Sequence, residues 1–189
     1  NRMSTYKAAI VGCGKRARMH ALAYSHVERG RLVACCDLEP ERARAFASEL
    51  GLEAYCDAAE MIHAAKPDLV HLVTMPDTRV ALMTQVSDLG VPACLVEKPI
   101  AAEVRDWRAL TALSSRTSTK FAVGMQFRYH PHLTRCREAL ASGRLGRLLS
   151  LELSAGMNVA NQGVHILDWA MSLNGDRPPR SIFAAASGV

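Results

Sequence analysis

A glycine-rich loop near the start of the chain has the spacing of a phosphate-binding turn. Residues 12–17 read Gly-Cys-Gly-Lys-Arg-Ala and lead from an apolar run into a segment with helical periodicity. Gly12 allows a tight turn, Gly14 lets the backbone approach a pyrophosphate, and the helix N-terminus offers free N–H groups to phosphates. Asp37, 23 residues beyond Gly14, ends the next apolar run, where a carboxylate binds the adenosine ribose. A purely structural turn is the alternative. The residues predicted here to bind a dinucleotide are Gly12, Cys13, Gly14, Lys15, Arg16 and Asp37.

Asp37 also bears on which dinucleotide is bound. A carboxylate about 4 Å from a 2′-phosphate is opposed by about 4 kcal/mol per unit charge at an effective dielectric constant of about 20. The sequence therefore predicts NAD as the cofactor and disfavours NADP. Arg42, five residues later, could partly offset this repulsion or be a solvated helix residue.

A second stretch with chemical potential is Val96-Glu97-Lys98-Pro99. It directly follows an apolar run, which places Lys98 at the carboxyl end of a predicted parallel strand, where ligands bind in doubly wound folds. A lysine there can donate a charge-assisted hydrogen bond, or act as a base if its pKa falls by about 2 to 3 units from about 10.4. A surface ion pair in a loop is the alternative.

The elements that must position these residues alternate along residues 1–124. Short apolar runs are separated by helix-period segments with stripes such as Val104, Trp107 and Leu110, which is the pattern of βαβ units. The fold class predicted is therefore α/β, a Rossmann-type doubly wound parallel sheet. The predicted strands are residues 7–11, 32–36, 69–73, 93–96 and 121–123.

The character of the sequence changes after Val123, and residues 125–189 read as the start of a second, α+β domain. We predict helices at 131–142 and 164–173 and strands at 148–153 and 181–185. Two strands make a marginal sheet, and the chain ends while this sheet should still be gaining strands. We therefore expect the second domain to be incomplete in these residues.

Composition excludes several classes of protein. The chain of 189 residues has 49% hydrophobic residues and a net charge of +5, but its basic residues are scattered and aromatic residues make up only 5%. No nucleic-acid partner is predicted. The six cysteines show no C-x-x-C spacing, which indicates reduced thiols and a cytoplasmic protein, and no metal site is predicted. No apolar run reaches 18 residues, so no membrane segment is predicted.

Taken together and in order, these motifs resemble the Gfo/Idh/MocA family of glucose-fructose oxidoreductases and inositol dehydrogenases. The resemblance covers essentially the whole chain, and the ordered set is specific although each motif alone is weak. The matching positions are the loop at 12–17, His20, Asp37, Thr74-Met75-Pro76, Glu97-Lys98-Pro99, residues 126–131, residues 143–146 and residues 163–168.

The resemblance implies NAD(P)-dependent oxidation of a hydroxyl on a sugar, inositol or related polyol, with hydride passing to nicotinamide. It implies Lys98 and His165 as the catalytic residues that handle the proton, with either one as the base. It also implies a homo-oligomer and a small-molecule substrate. The further cofactor-binding residues it implies are Thr74, Met75, Pro76, Glu97 and Lys98, and the substrate-binding residues are Arg128, Asn161 and Asp168. The alternatives are a domain-bridging contact or a structural salt bridge for Arg128, and a helix-start or domain-packing contact for His165 and Asp168.

Three positions depart from the family pattern. Asn161 stands where many members carry an aspartate four residues before the histidine, and an amide cannot raise the histidine pKa as a carboxylate does. Arg79 stands where a histidine is usual, and either serves the cofactor phosphates or is exposed. The connection at 154–160 is shorter than usual. Two other activities remain open: an NAD-dependent glycoside-cleaving enzyme with transient oxidation, and a non-catalytic dinucleotide-binding sensor.

Overall fold

Six short segments form one fully parallel sheet in the order β3-β2-β1-β4-β5-β6. The order reverses beside β1, so the loops that leave β1 and β4 lie at the topological switch point where doubly wound sheets bind ligands. The strands are β1 Tyr6–Val11, β2 Gly30–Cys36, β3 Glu53–Tyr55, β4 Leu69–Leu72, β5 Ala93–Val96 and β6 Lys120–Val123.

Helices cover both faces of this sheet. Ala9 and Val11 of β1 join a core with residues of α3, α4 and α5, whereas Ile10 joins a second core with residues of α1 and α2. Alternate strand residues point to opposite faces, so one apolar run supplies both cores. The helices are α1 Lys15–Ala23, α2 Pro40–Leu50, α3 Ala58–Ala65, α4 Arg79–Asp88 and α5 Val104–Arg116.

The computed structural model describes residues 5–156 and 158–185, and the chain divides into a first unit up to Gly124 and a second unit from Met125. Residues 1–4 of the first predicted domain, and Met157 and residues 186–189 of the second, lie outside the described residues. No helix within the described residues is long and apolar enough to cross a membrane.

The five predicted strands of the first unit are confirmed to within two residues at each end, while two details differ. β3 was not predicted, because a strand of three residues at the sheet edge carries no long apolar run. The predicted buried stripe of α5 is wrong at Val104 and Trp107, which are 64% and 55% exposed; Leu110 and Leu113 are the buried pair.

The second unit is built from helices. It contains α6 Pro131–Ala141, α7 Val164–Leu173, a 3-10 turn at Gln126–Tyr129 and a π-helical turn at Val159–Gly163. The strands predicted at 148–153 and 181–185 are not formed, and both segments lack regular structure in the described residues. A strand exists only when a neighbour accepts and donates its backbone hydrogen bonds, and no described segment pairs with either one.

Candidate functional site

The loop between β1 and α1 leaves room for a ligand beside its backbone. Gly12 has φ +93°, and a Cβ there would collide with the carbonyl oxygen of Val73. A Cβ at Gly14 would meet no atom within 4 Å. Gly12 is thus required by the fold itself, whereas Gly14 borders open space.

The N-terminus of α1 suits an anion. Gly14 caps the helix without a side-chain hydrogen bond, and no acidic residue lies in the first turn. The first N–H groups and the positive end of the helix dipole are therefore left to a phosphate. Lys15 and Arg16 are exposed beside them.

Asp37 lies at the end of β2, is 8% exposed, and holds the loop from the other side. Its Oδ2 accepts a hydrogen bond from Cys13 N at 2.8 Å, and its Oδ1 accepts from Glu39 N and from Arg42 Nη1, both at 3.0 Å. The carboxylate is therefore fixed in place by donors from three sides. Arg42 combines the two roles considered for it: its side chain is 55% exposed on α2, and its charge lies beside the Asp37 carboxylate.

The loop after β4 is tied to the end of β5 by one buried side chain. The Arg79 guanidinium donates to the carbonyl oxygens of Thr74 and Glu97 and is 1% exposed. Burial lowers the pKa of Arg79, and the nearby Glu97 carboxylate works against that shift. Of the two alternatives for Arg79, exposure is wrong, because the Arg79 side chain at the start of α4 is buried against the carbonyl groups that follow β4 and β5.

Within that loop Met75 is 70% exposed, while Thr74 is half-buried. The hydroxyl groups of Thr74 and Thr78 lie 2.7 Å apart, and Thr78 Oγ1 donates to Met75 O at 2.8 Å. Pro76 begins the 3-10 turn that shapes the loop. The structure thus places Thr74, Met75 and Pro76 at the carboxyl edge of β4, in the turn after a strand that we predicted.

Glu97, directly after β5, is 7% exposed. Its Oε1 lies 2.9 Å from His20 Nε2 and 3.8 Å from Arg16 Nε, and its Oε2 accepts from Lys98 N at 3.2 Å. Burial raises the pKa of Glu97, but the hydrogen bond and charge of His20, with Arg16 and the Lys98 N–H, outweigh it and lower the pKa overall. The carboxylate beside Lys98 is therefore ionised.

The side chains of His71 and Tyr24 extend this cluster, and no functional role was predicted for either. His20 Nδ1 lies 3.0 Å from His71 Nδ1, and His71 Nε2 lies 2.7 Å from the Tyr24 hydroxyl. His71 is 5% exposed in β4. A histidine in the middle of an otherwise apolar strand was the signal that could have found it.

In the second unit, His165 and Asn161 lie on either side of a change in helix geometry. His165 is 4% exposed in the first turn of α7, and its ring centroid is 4.6 Å from that of Phe127. Asn161 belongs to the π-helical turn, is exposed, and donates its backbone N–H to Asn158 Oδ1 at 2.9 Å. Such turns are frequent at functional sites.

Arg128 and Asp168, both predicted to bind substrate, bind each other. Arg128 Nε and Nη2 donate to Asp168 at 2.6 to 3.2 Å, and Nη1 and Nη2 donate to Asp176 at 3.0 and 2.9 Å. These hydrogen bonds, to Asp168 and then to Asp176, raise the pKa of Arg128. The guanidinium thus joins α7 to the segment that follows it.

A family model described as an oxidoreductase family with an NAD-binding Rossmann fold, GFO_IDH_MocA, matches residues 6–125. The chain belongs to the Gfo/Idh/MocA family. Two curated relatives are a D-apiose dehydrogenase of Paraburkholderia graminis, 31% identical over 90% of this chain and 50% of the relative, and an inositol 2-dehydrogenase of Rhizobium meliloti, 30% identical over 92% of this chain and 56% of the relative. A solved structure described as a putative myo-inositol dehydrogenase from Sinorhizobium meliloti is 30% identical, with a TM-score of 0.78 over 92% of this chain and 56% of that one. The chain spans about half the length of the curated relatives it matches.

The first unit of this Gfo/Idh/MocA chain fits the cofactor that the family description names. The open space beside Gly14 and the uncapped start of α1 suit a pyrophosphate, and the fixed carboxylate of Asp37 suits a ribose hydroxyl. Among the described residues no group of three or more His, Cys, Asp or Glu side chains is arranged to hold a metal ion.

Proposed function

We propose that this protein is an NAD-dependent oxidoreductase that transfers a hydride between nicotinamide and a hydroxyl of a sugar, inositol or related polyol. The observation that carries the proposal is the uncapped N-terminus of α1 beside Gly14, with Asp37 locked to the same loop. The substrate class rests on the dehydrogenase names of the relatives above.

In this proposal the first unit binds the cofactor. The backbone at Gly12, Cys13 and Gly14 and the side chains of Lys15 and Arg16 hold the phosphates, and Asp37 accepts from the ribose. Thr74, Met75, Pro76 and Glu97 line the adjoining edge, because they follow β4 and β5 at the same end of the sheet. When bound, NAD+ supplies the hydride acceptor.

Lys98 and His165 are the proposed catalytic residues. One of them takes the hydroxyl proton of the substrate as the hydride leaves, and the other donates a hydrogen bond to the substrate oxygen. Asn161, exposed in its turn, is the proposed substrate contact. Arg128 and Asp168 remain predicted substrate-binding residues, and a substrate hydroxyl would have to share their ion pair.

The test incubates the full chain with NAD+ and a panel of sugars and inositols, and follows NADH. Accumulation of NADH, lost in Lys98→Ala while NAD+ still binds, is the expected result. Release of product from aryl glycosides without net NADH would instead select the glycoside-cleaving enzyme. NAD+ binding with neither reaction, and no effect of Lys98→Ala on any measured property, would select the sensor.

Cofactor choice has its own test. The carboxylate of Asp37 should repel a 2′-phosphate, so NADP+ should bind at least about tenfold more weakly than NAD+. Asp37→Ala should weaken NAD+ binding and narrow that difference, as measured by calorimetric titration. Equal affinity of the unaltered protein for both cofactors would contradict the preference.

We also propose that the protein is cytoplasmic and self-associates. Four of its cysteines are buried free thiols, as suits a reducing compartment. Light scattering on the purified chain would give a mass above that of one copy, and a mass of 20.6 kDa would contradict self-association.

A further inference from the structure

Four side chains of the first unit form a continuous hydrogen-bond chain that ends at Glu97. We propose that Tyr24, His71 and His20 are positioning residues, which fix the Glu97 carboxylate and through it the turn that presents Lys98. The inference rests on the proposed function for its catalytic consequence. The hydrogen bonds themselves do not depend on that function.

The chemistry of the two ends sets the direction of every hydrogen bond. Glu97 is an ionised acceptor, so His20 Nε2 must carry a hydrogen and donate. A neutral His20 then has a bare Nδ1, which requires His71 Nδ1 to donate across 3.0 Å. His71 Nε2 is therefore bare and accepts from the Tyr24 hydroxyl at 2.7 Å. All three hydrogen bonds are satisfied with both rings neutral.

Burial makes this arrangement the stable one. His71 is 5% exposed, and burial, followed by the charge of His20, lowers the pKa of His71 to about 4. Burial raises the pKa of Tyr24 to about 12, so the hydroxyl keeps its hydrogen. A buried ring nitrogen without a partner is costly, and the chain gives both nitrogens of His71 a partner.

The row of hydrogen bonds from Tyr24 to Glu97 restrains the turn at Glu97 and Lys98. Of the two carboxylate oxygens of Glu97, Oε1 faces His20 and Oε2 accepts from the Lys98 backbone N–H. The carbonyl of Glu97 is held separately by Arg79. If His20 is removed, Oε1 loses its hydrogen bond and keeps the ion pair with Arg16 Nε at 3.8 Å, and the carboxylate gains freedom to rotate away from the Lys98 N–H.

The first experiment observes the rings directly in the full chain labelled with 15N, by long-range nitrogen–proton correlation NMR without cofactor. At pH 8 we expect His20 with its hydrogen on Nε2 and His71 with its hydrogen on Nδ1. A hydrogen on His71 Nε2 at pH 8 would overturn the proposal.

The second experiment measures the turn. His20→Leu removes the donor to Glu97, and hydrogen exchange of the Lys98 amide should quicken about tenfold, as for the loss of one hydrogen bond of about 1.4 kcal/mol. His20→Gln can still donate a hydrogen bond from its amide nitrogen and should restore slow exchange. His63→Leu, the same change at an exposed histidine of α3, is the control and should have no effect. Unchanged exchange in His20→Leu would overturn the proposal.

Turnover separates this inference from the proposed function. If the unaltered chain oxidises a polyol, His20→Leu should lower kcat more than it raises KM for NAD+, and His20→Gln should recover most of kcat. If no polyol yields NADH while the tautomers and the exchange rates behave as expected, the proposed function fails and the positioning chain stands.

Discussion

The two units of the chain hold their candidate residues in different ways. In the first unit, Asp37, Arg79 and Glu97 are nearly buried and bind backbone groups of the loops that leave the sheet. In the second unit, Arg128 binds two carboxylates, Asp168 of α7 and Asp176 in the segment that follows it, and Asp176 is 58% exposed. Sheet-edge loops have little structure of their own and need buried polar anchors, whereas a helix arranges its residues by itself.

This contrast leads to an order of sensitivity. Substitutions at the loop backbone and at the buried anchors of the first unit should lower the free energy of unfolding most. Substitutions in the ion cluster of the second unit should lower it least.

The largest effect is expected at Gly12. An alanine there would have a strained positive φ of +93° and a Cβ in collision with the Val73 carbonyl oxygen. Strain and displacement together cost about 4 kcal/mol, so the free energy of unfolding should fall by about that amount in a urea titration. NAD+ should also bind more weakly by calorimetric titration, because the loop backbone is displaced. Gly14→Ala is the matched control, because its Cβ meets no protein atom: its Tm should stay within about 2 °C while NAD+ binding weakens. Normal NAD+ affinity in Gly12→Ala would contradict the geometry of the loop.

The next effect is expected at Arg79. Replacing it by methionine keeps much of the volume but leaves the carbonyl oxygens of Thr74 and Glu97 without these donors. We expect a loss of about 3 kcal/mol in the free energy of unfolding by urea titration, from two weakened buried acceptors. Arg108→Met, at an exposed position of α5, should change it by less than about 0.5 kcal/mol. Equal effects at the two positions would remove Arg79 from the class of buried anchors.

His71 should make the first unit sensitive to acid. Its pKa is lowered to about 4 in the folded chain and is near 6.5 when unfolded, so the unfolded chain binds more protons between these values. Stability is therefore full above about pH 6.5 and falls by about 2 to 3 kcal/mol as the pH drops to about 4. Urea titrations at several pH values should show a flatter profile in His71→Gln, and no change of profile in His63→Gln. An identical slope in His71→Gln and the unaltered chain would contradict this role.

The features that could be predicted from the sequence are those set by the strands of the first unit. The apolar runs of β1, β2, β4 and β5 form the interior strands of the sheet, so their composition alone predicts that they are buried. The glycine loop, Asp37 and Lys98 were predictable because their positions follow directly from those strands.

The remainder depends on partners that lie far away along the chain. His71 can be buried because Tyr24 and His20 form hydrogen bonds with its ring nitrogens. Arg79 can be buried because its guanidinium donates to the carbonyl of Glu97. Segments 148–153 and 181–185 have strand-like composition but no described strand to pair with. A local pattern can mark His71 as unusual, but it does not identify the partners of these residues.

The smallest effect is expected in the ion cluster of the second unit. A double-mutant cycle of Arg128→Ala and Asp168→Ala should give a coupling energy of about 1 kcal/mol, because Arg128 is 25% and Asp168 13% exposed and solvent screens part of the attraction. The same cycle with Asp176→Ala should give less, since that carboxylate is 58% exposed. Urea titration of the four chains in each cycle measures both values. A coupling near 3 kcal/mol would mean that helix α7 depends on a buried anchor as strongly as the sheet-edge loops do, and the contrast between the two units would disappear.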